Sequence, residues 1–308
     1  MRGDGAAHVS IPRFALDFET TGLDSRRDRV LEVGLVGVRS YASLVADAPP
    51  SPPAAQAAHG ITPQLARRLG KPGRTVLAEL LEVLGQGPIQ IVSHNVPFDR
   101  SFLEAWVERE GRALPEVEWL CTLAEARELC PDPSIAKGLG KLAARFGWHT
   151  GRLHRAHADA EVTLRLHGFL QAWRVISNEL GSEPYVVYLA GPVRGDGDSR
   201  TIRYNQERMF ALAQWVQGVL PKAGLLVPHG NFAFVDEAGD RGLIVRERVL
   251  EACGQLLTRC DALILCAETL SPGMVHEREV AAACGLPTFT SPGWDLPAWS
   301  AFPVAAVA

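Results

Sequence analysis

The chain has 308 residues, enough for two domains, and its 47% apolar and 21% charged residues are typical of a soluble globular protein. Its 31 Lys and Arg against 35 Asp and Glu give a formal charge of −4, which argues against a protein that mainly clamps duplex nucleic acid. No stretch is apolar enough to span a bilayer, the N-terminus lacks a signal segment, and the six cysteines form no Cys-x-x-Cys pair. We therefore expect a cytoplasmic protein with free thiols.

The first half of the chain predicts a sheet that opens with antiparallel strands and is followed by helices. Predicted strands lie at 13–20, 29–38, 41–46 and 89–93, and predicted helices at 65–69, 76–84, 97–110, 122–129, 136–146 and 156–174. The proline-rich stretch 48–53 is expected to be an extended surface loop, because proline cannot enter a sheet interior.

From residue 185 onward, strands and helices alternate. Strands are predicted at 186–190, 225–227, 262–266 and 288–290, and helices at 203–219, 245–257 and 275–284. This alternation predicts a parallel, doubly wound sheet of the flavodoxin or Rossmann type. The predicted domains are therefore 11–176 and 185–303, with a boundary near 177–184.

The first predicted strand carries two carboxylates on one face. In FALDFETTGL, residues 14–23, the strand period places Asp17 and Glu19 together and Phe18 on the opposite face. Like charges this close repel one another, and burial increases the repulsion. Either a cation neutralises the pair or this edge faces water.

Two further acids stand at the start of predicted helices. Apolar or small residues follow at +3, +4 and +7 from both Asp99 and Asp159, so both acids begin a core-facing stripe. Each acid alone is explained as a helix N-terminal charge. Together with Asp17 and Glu19 they make four inward carboxylates, a set that two Mg²⁺ or Mn²⁺ ions would neutralise.

Three ordered motifs resemble those of the DEDDh 3′→5′ exonucleases, the relatives of the bacterial DNA polymerase III proofreading subunit. They are DFETTGL at 17–23, NVPFDRSFL at 95–103 and HRAHAD at 154–159, and the likeness includes HGIT at 59–62, CTL at 121–123 and LGKLA at 139–143. The resemblance covers roughly residues 11–174. It implies a ribonuclease H-like α/β fold, with a mixed sheet and flanking helices, and release of 5′-mononucleotides from DNA or RNA.

The resemblance also implies a two-metal mechanism. One ion, held by Asp17, Asp99 and Asp159, would polarise a water, and the other, near Asp17 and Glu19, would stabilise the leaving 3′-oxygen. The general base is expected to be a histidine.

Two histidines compete for the role of base. His154 has the family's spacing to Asp159 and precedes the helix, whereas His157 would lie on the outer helical face. His167 is expected at the surface as well. Thr20 and Thr21 would contact the terminal nucleotide, although a simple turn explains them equally well.

The second half resembles the nucleoside 2-deoxyribosyltransferase-like superfamily over roughly residues 185–291. The resemblance rests on YLAGP at 188–192, Asn205, Cys260-Asp261 and SPGMVHE at 271–277. It implies that Glu277 attacks C1′ of a deoxyribose, and that Gly191, Arg194 and Asp261 bind the substrate, with Arg194 at a 5′-phosphate. The glycines after the strand are also explained as loop-shaping residues. One departure is that many members carry an acid near Cys253, where this chain reads EAC at 251–253, so a catalytic partner is missing unless Glu251 or another acid substitutes.

We therefore expect an exonuclease that acts on single-stranded DNA or short oligonucleotides, RNA being an alternative, and that binds deoxynucleotides in its second domain. The competing hypothesis is that the second domain is a nucleotide-sensing module without catalysis that controls the nuclease. The acidic net charge also suggests a protein partner or a homo-oligomer.

Overall fold

The computed structural model describes residues 11–148, 155–192, 198–231, 246–267 and 269–291. These residues form two compact units. Unit 1 contains residues 11–125 and 155–167, and unit 2 contains residues 126–148 and the described residues from Gly168 onward. No helix of the described part of the chain is long and apolar enough to cross a membrane.

Unit 1 is built on a five-stranded mixed sheet in the order β3-β2-β1-β4-β5. The strands are β1 (Arg13–Thr20), β2 (Val30–Gly37), β3 (Tyr41–Leu44), β4 (Ile89–Ser93) and β5 (Val117–Cys121). The first three strands pair antiparallel, whereas β4 pairs parallel with both β1 and β5. The predicted mixed sheet with antiparallel first strands is confirmed.

Helices follow or interrupt these strands. Up to residue 180, those within the described residues are α1 (Pro53–His59), α2 (Pro63–Leu69), α3 (Gly73–Leu84), α4 (Val96–Arg109), α5 (Thr122–Leu129), α6 (Leu139–Phe146) and α7 (Ala156–Leu180). One face of β1 packs into the main apolar core through Phe14, Leu16 and Phe18, together with residues of α3 and α4. The other face is therefore left for Asp17 and Glu19, as strand alternation predicts.

Unit 2 contains a four-stranded, wholly parallel sheet in the order β7-β6-β8-β9. The strands are β6 (Tyr185–Ala190), β7 (Ala223–Leu226), β8 (Ala262–Leu265) and β9 (Thr288–Thr290), and the helices within the described residues after 180 are α8 (Ser199–Val219), α9 (Pro228–Asn231), α10 (Arg246–Leu257) and α11 (Pro272–Ala283). The predicted parallel sheet is confirmed, and its assignment to a doubly wound flavodoxin or Rossmann type stays a prediction.

Helix α1 and strand β5 are among the elements that differ from the sequence-based expectation. The stretch predicted as a loop at 48–53 ends in α1, because Pro53 occupies the first helical turn, where its missing N–H is tolerated. Strand β5 was not predicted. It is short, and Glu118 interrupts its apolar pattern but bonds to Gln90 of the neighbouring strand.

Candidate active site

Three of the predicted acids come together at β1 and α7. Asp17, Glu19 and Asp159 each place a carboxylate oxygen within 4.8 Å of the others. Asp17 lies opposite Gly34 in the antiparallel pair with β2, and Glu19 lies opposite Glu32. Asp159 is buried in the first turn of α7. Strand alternation and helical periodicity therefore aim these acids at one point from two elements.

Asp99 lies outside that group of three but is electrostatically close to it. It is buried in the first turn of α4. The Ser93 hydroxyl lies 2.5 Å from its Oδ2 and 3.0 Å from the Leu16 carbonyl oxygen, and the Phe18 backbone N–H donates to the same carboxylate. These contacts fix Asp99 against β1, beside Asp17.

The acids are held in a setting that disfavours their ionised forms. Burial raises the pKa of Asp17 well above its usual range, and the charges of Asp99, Asp159, Glu19 and Glu32 raise it further. Burial and the charge of Asp159 raise the pKa of Glu19 to about 8. Burial also raises the pKa of Asp99, against the opposing effect of its hydrogen bonds. A cation bound by the cluster would relieve this repulsion, and carboxylate oxygens are the ligands that Mg²⁺ and Mn²⁺ prefer.

Strand β2 contributes two residues that sequence reasoning missed. Glu32 is buried, and its carboxylate accepts hydrogen bonds from Arg155 and from the Ala156 backbone N–H. A Cβ on Gly34 would overlap the backbone carbonyl of Ala156, so only glycine lets α7 approach β2 this closely. The available signal was a charged residue inside the apolar strand VLEVGLVG.

The predicted base, His154, lies outside the described residues. Its competitor His157 has a side chain 41% exposed, with Nε2 3.5 Å from the carboxylate of Glu161 on the outer side of α7. The surface position expected for His167 is wrong, since this residue is 3% exposed and its Nδ1 lies 3.1 Å from Glu125. His167 stands eight residues after Asp159 and so continues the buried stripe by one more turn.

Thr20 and Thr21 are both buried at the end of β1. The Thr20 hydroxyl donates to the Gly22 carbonyl at 2.6 Å, and the Thr21 hydroxyl accepts from the Arg29 N–H at 2.9 Å. The turn interpretation accounts for these contacts. Their role in nucleotide binding stays a prediction.

In unit 2, Glu277 and Tyr188 form a buried pair. The Tyr188 hydroxyl donates to Glu277 Oε1 at 2.6 Å, and burial raises the pKa of Glu277 to about 7 despite this bond. The side chain of Cys253 is hydrogen-bonded to Tyr188, whereas Glu251 is exposed. A thiol therefore stands at the position where the resemblance leads one to expect an acid.

The two other described residues predicted for this second site, Gly191 and Asp261, lie apart. Gly191 directly follows β6, and its lack of a side chain makes room for Met209. Asp261 instead accepts a hydrogen bond from the Val186 N–H near the start of β6, five residues and about 16 Å along the strand from Gly191. Asp261 therefore bonds to the backbone at the amino end of β6, whereas Gly191 lies at its carboxyl end. Arg194 lies outside the described residues.

Comparison with known proteins identifies the class to which this site belongs. The profile of the exonuclease family RNase_T matches residues 14–167, half of the chain, including Asp17, Glu19, Asp99 and Asp159. The chain belongs to this exonuclease family.

Individual proteins of known sequence or structure are similar to parts of this chain. The chain is 30% identical over 159 residues to DNA polymerase III subunit epsilon of Aquifex aeolicus, a match that covers 49% of this chain and 76% of that protein. It is 31% identical over 159 residues to a PolC-type DNA polymerase III of Thermotoga petrophila, of which the match spans 11%. A solved structure of Escherichia coli exonuclease I with a dT13 oligonucleotide is 18% identical, with a TM-score of 0.48, and the similarity covers 55% of this chain and 43% of that one.

Proposed function

We propose that this protein is a metal-dependent 3′→5′ exonuclease that releases 5′-mononucleotides from single-stranded DNA. The observation that carries the proposal is the convergence of Asp17, Glu19 and Asp159 within 4.8 Å in a chain of the exonuclease family. Three carboxylates this close have no structural purpose that would offset their repulsion, and a divalent cation gives them one.

The cations fit the residues that are present. Asp17, Glu19 and Asp159 would hold them, with Asp99 beside Asp17 completing the set of four acids. When bound, two Mg²⁺ or Mn²⁺ ions supply an activated water and stabilise the oxygen that leaves.

The chain's own residues account for the remaining steps. His154, one residue before the Arg155 that Glu32 anchors, would accept the proton of the attacking water at an imidazole nitrogen. A new bond forms from the water oxygen to phosphorus as the bond to the 3′-oxygen breaks. The departing 3′-oxygen takes up a proton from solvent and becomes the 3′-hydroxyl of the shortened strand, and the released nucleotide keeps the 5′-phosphate.

The test is incubation of the full chain with 5′-labelled single-stranded DNA or RNA in Mg²⁺, Mn²⁺ or EDTA. We expect a ladder of shortening products with metal and none in EDTA or in Asp17→Asn. Glu118→Gln, which removes an exposed acid on β5 of the same sheet, is the control that should keep full activity. Activity in Asp17→Asn equal to that of the wild-type protein would contradict the proposal. Faster cleavage of RNA than of DNA would mean that RNA is the preferred substrate.

For the second domain we propose binding of deoxynucleoside monophosphates, the products of the first reaction. The buried Tyr188–Glu277 pair favours it, because a buried carboxyl oriented by a tyrosine hydroxyl can hydrogen-bond a sugar or, in its ionised form, attack C1′. Calorimetry with each of the four monophosphates, combined with chromatography of free base, separates the alternatives. Base release that is lost in Glu277→Ala indicates catalysis. Binding without base release indicates a sensor. Absence of both binding and base release would contradict both alternatives.

A further inference from the structure

Glu32 is a buried acid in the middle of an apolar strand. It is 5% exposed, lies on β2, and stands directly opposite Glu19 in the antiparallel pair. Burial of a carboxylate lowers the stability of the fold unless the carboxylate is paired with a cation and hydrogen-bonded. Glu32 is outside the group of three acids that meet within 4.8 Å, so the proposed metal cluster does not explain it.

Among the described residues, the hydrogen-bond partners of Glu32 are Arg155 and Ala156, where α7 begins. Arg155 Nε lies 3.0 Å from both carboxylate oxygens, and Arg155 Nη2 lies 2.5 Å from Oε1. The Ala156 N–H donates to Oε2 at 3.1 Å. The carboxylate therefore accepts an N–H from the first turn of α7, a role that a residue next to the helix usually takes and that Arg155 cannot.

Gly34 brings the same helix against the same face of β2. It stands two residues after Glu32, so both share one side of the strand with their β1 partners Glu19 and Asp17. A Cβ added to Gly34 would overlap the His157 backbone nitrogen as well as the Ala156 carbonyl. Helix α7 is thus located by a charged anchor and by close backbone contact, three residues before Asp159.

We propose that Glu32 is a positioning residue of the nuclease site. It fixes the first turn of α7 so that Asp159 reaches Asp17 and Glu19, while Arg155 neutralises the Glu32 charge next to these acids. The inference rests on the proposed nuclease function. Removing a residue that orients a metal ligand without touching the metal typically lowers metal affinity or activity by about 10- to 100-fold.

The test compares Glu32→Gln with a matched control. Glu79 on α3 also accepts two side-chain hydrogen bonds, from Tyr41 at 2.8 Å and Lys71 at 2.6 Å, so Glu79→Gln removes a similar charge without touching α7. We expect Glu32→Gln to lower Mn²⁺ affinity or kcat by about 10- to 100-fold with little change in the KM for DNA. We also expect faster amide hydrogen exchange at the start of α7, and no such effect in Glu79→Gln.

A second variant covers the case in which Glu32→Gln does not fold. Arg155→Lys keeps the positive charge but loses the two-pronged geometry, so it should show the same loss in milder form. If the two residues act as one unit, the double variant should be no worse than the worse single variant.

The outcomes separate this inference from the proposed function. Wild-type Mn²⁺ affinity, kcat and amide exchange in a folded Glu32→Gln, or effects equal to those of Glu79→Gln, would overturn the positioning role. A wild-type protein that cleaves neither DNA nor RNA would contradict the nuclease. Mn²⁺ titration and amide exchange would still test the Glu32 anchor in that case.

Discussion

At the scale of single residues, the unusual feature is a group of carboxylates that resist ionisation. Glu19 has an ordinary pKa of 4.5 that burial and Asp159 raise to about 8, while Arg155 opposes the shift. The pKa of Asp17 is raised as well, by burial first and by Asp99 next. The acids therefore bind protons in the folded state at a pH where they would be ionised in the unfolded chain.

This shift predicts how the stability of the metal-free protein depends on pH. Because the folded-state pKa of Glu19 is raised, its contribution to the free energy of unfolding is fully present below about pH 4.5 and is lost as the pH rises through about 8. In EDTA, the midpoint temperature of thermal unfolding should decrease as the pH is raised from about 5 to about 8.5. The decrease should be smaller in Glu19→Gln. Added Mn²⁺ should raise the midpoint most at the higher pH, because protons then compete least. A wild-type midpoint that stays level or rises in EDTA would contradict this account.

The acids on helices could be predicted from sequence, because the period of a helix shows which side chains share its apolar stripe. Asp99 and Asp159 were found in this way, and both are buried. Glu32 and Ser93 were missed, because their importance depends on which strand or helix lies opposite. That pairing joins Glu32 to Arg155, more than a hundred residues along the chain, and no local pattern encodes it.

At the scale of elements, the close approach of α7 to β2 yields a prediction about two glycines. Gly34→Ala would drive a Cβ into backbone atoms of Ala156, which cannot move without moving α7. We expect a loss of about 1–3 kcal/mol in the free energy of unfolding, and lower nuclease activity. Gly168→Ala is the matched control on α7, because its Cβ meets nothing within 4 Å and should stabilise the helix by about 1 kcal/mol. Denaturant titration of both variants would contradict the account if Gly34→Ala were neutral.

The longer elements were predictable because their periodicity is strong, and their ends were less so. Helix α7 was expected at 156–174 and runs to Leu180, since nothing in its sequence stops it before Gly181, which has a positive φ of 72°. Strand β5 was missed because it has only five residues and the second, Glu118, is charged, which leaves too short an apolar pattern.

At the scale of the whole molecule, an aromatic core in unit 2 joins distant parts of the chain. Phe146, Trp148, Phe169, Trp173 and Trp215 form a continuous set of ring contacts, with Phe146 and Trp215 centroids 5.4 Å apart. Two of these residues fall inside the segment that matches the exonuclease family, and Trp215 lies on α8. Arg208 of α8 also donates to the Phe146 carbonyl at 2.5 Å. The predicted boundary near 177–184 stays a prediction, but a cut there would remove Trp215 from this core.

These contacts predict that α8 stabilises residues of the family-matched segment. Trp215 is fully buried, so Trp215→Ala should lower the free energy of unfolding by about 3–5 kcal/mol. Phe210→Ala, on the same helix but 46% exposed, should change it by about 0.5 kcal/mol. Denaturant titrations would contradict the prediction if the two variants lost equal stability.

The central claim is that the protein removes nucleotides from the 3′ end of single-stranded DNA by means of a metal that Asp17, Glu19 and Asp159 hold. Its most direct test is digestion of 5′-labelled single-stranded DNA that carries phosphorothioate linkages at either the 3′ or the 5′ end. Sulfur is a poor ligand for Mg²⁺, so the 3′-modified strand should be cut slowly, and Mn²⁺ should partly restore the rate. The 5′-modified strand should shorten stepwise and release 5′-mononucleotides. Early release of the 5′ label, equal digestion of both strands, or digestion that survives EDTA would contradict the account.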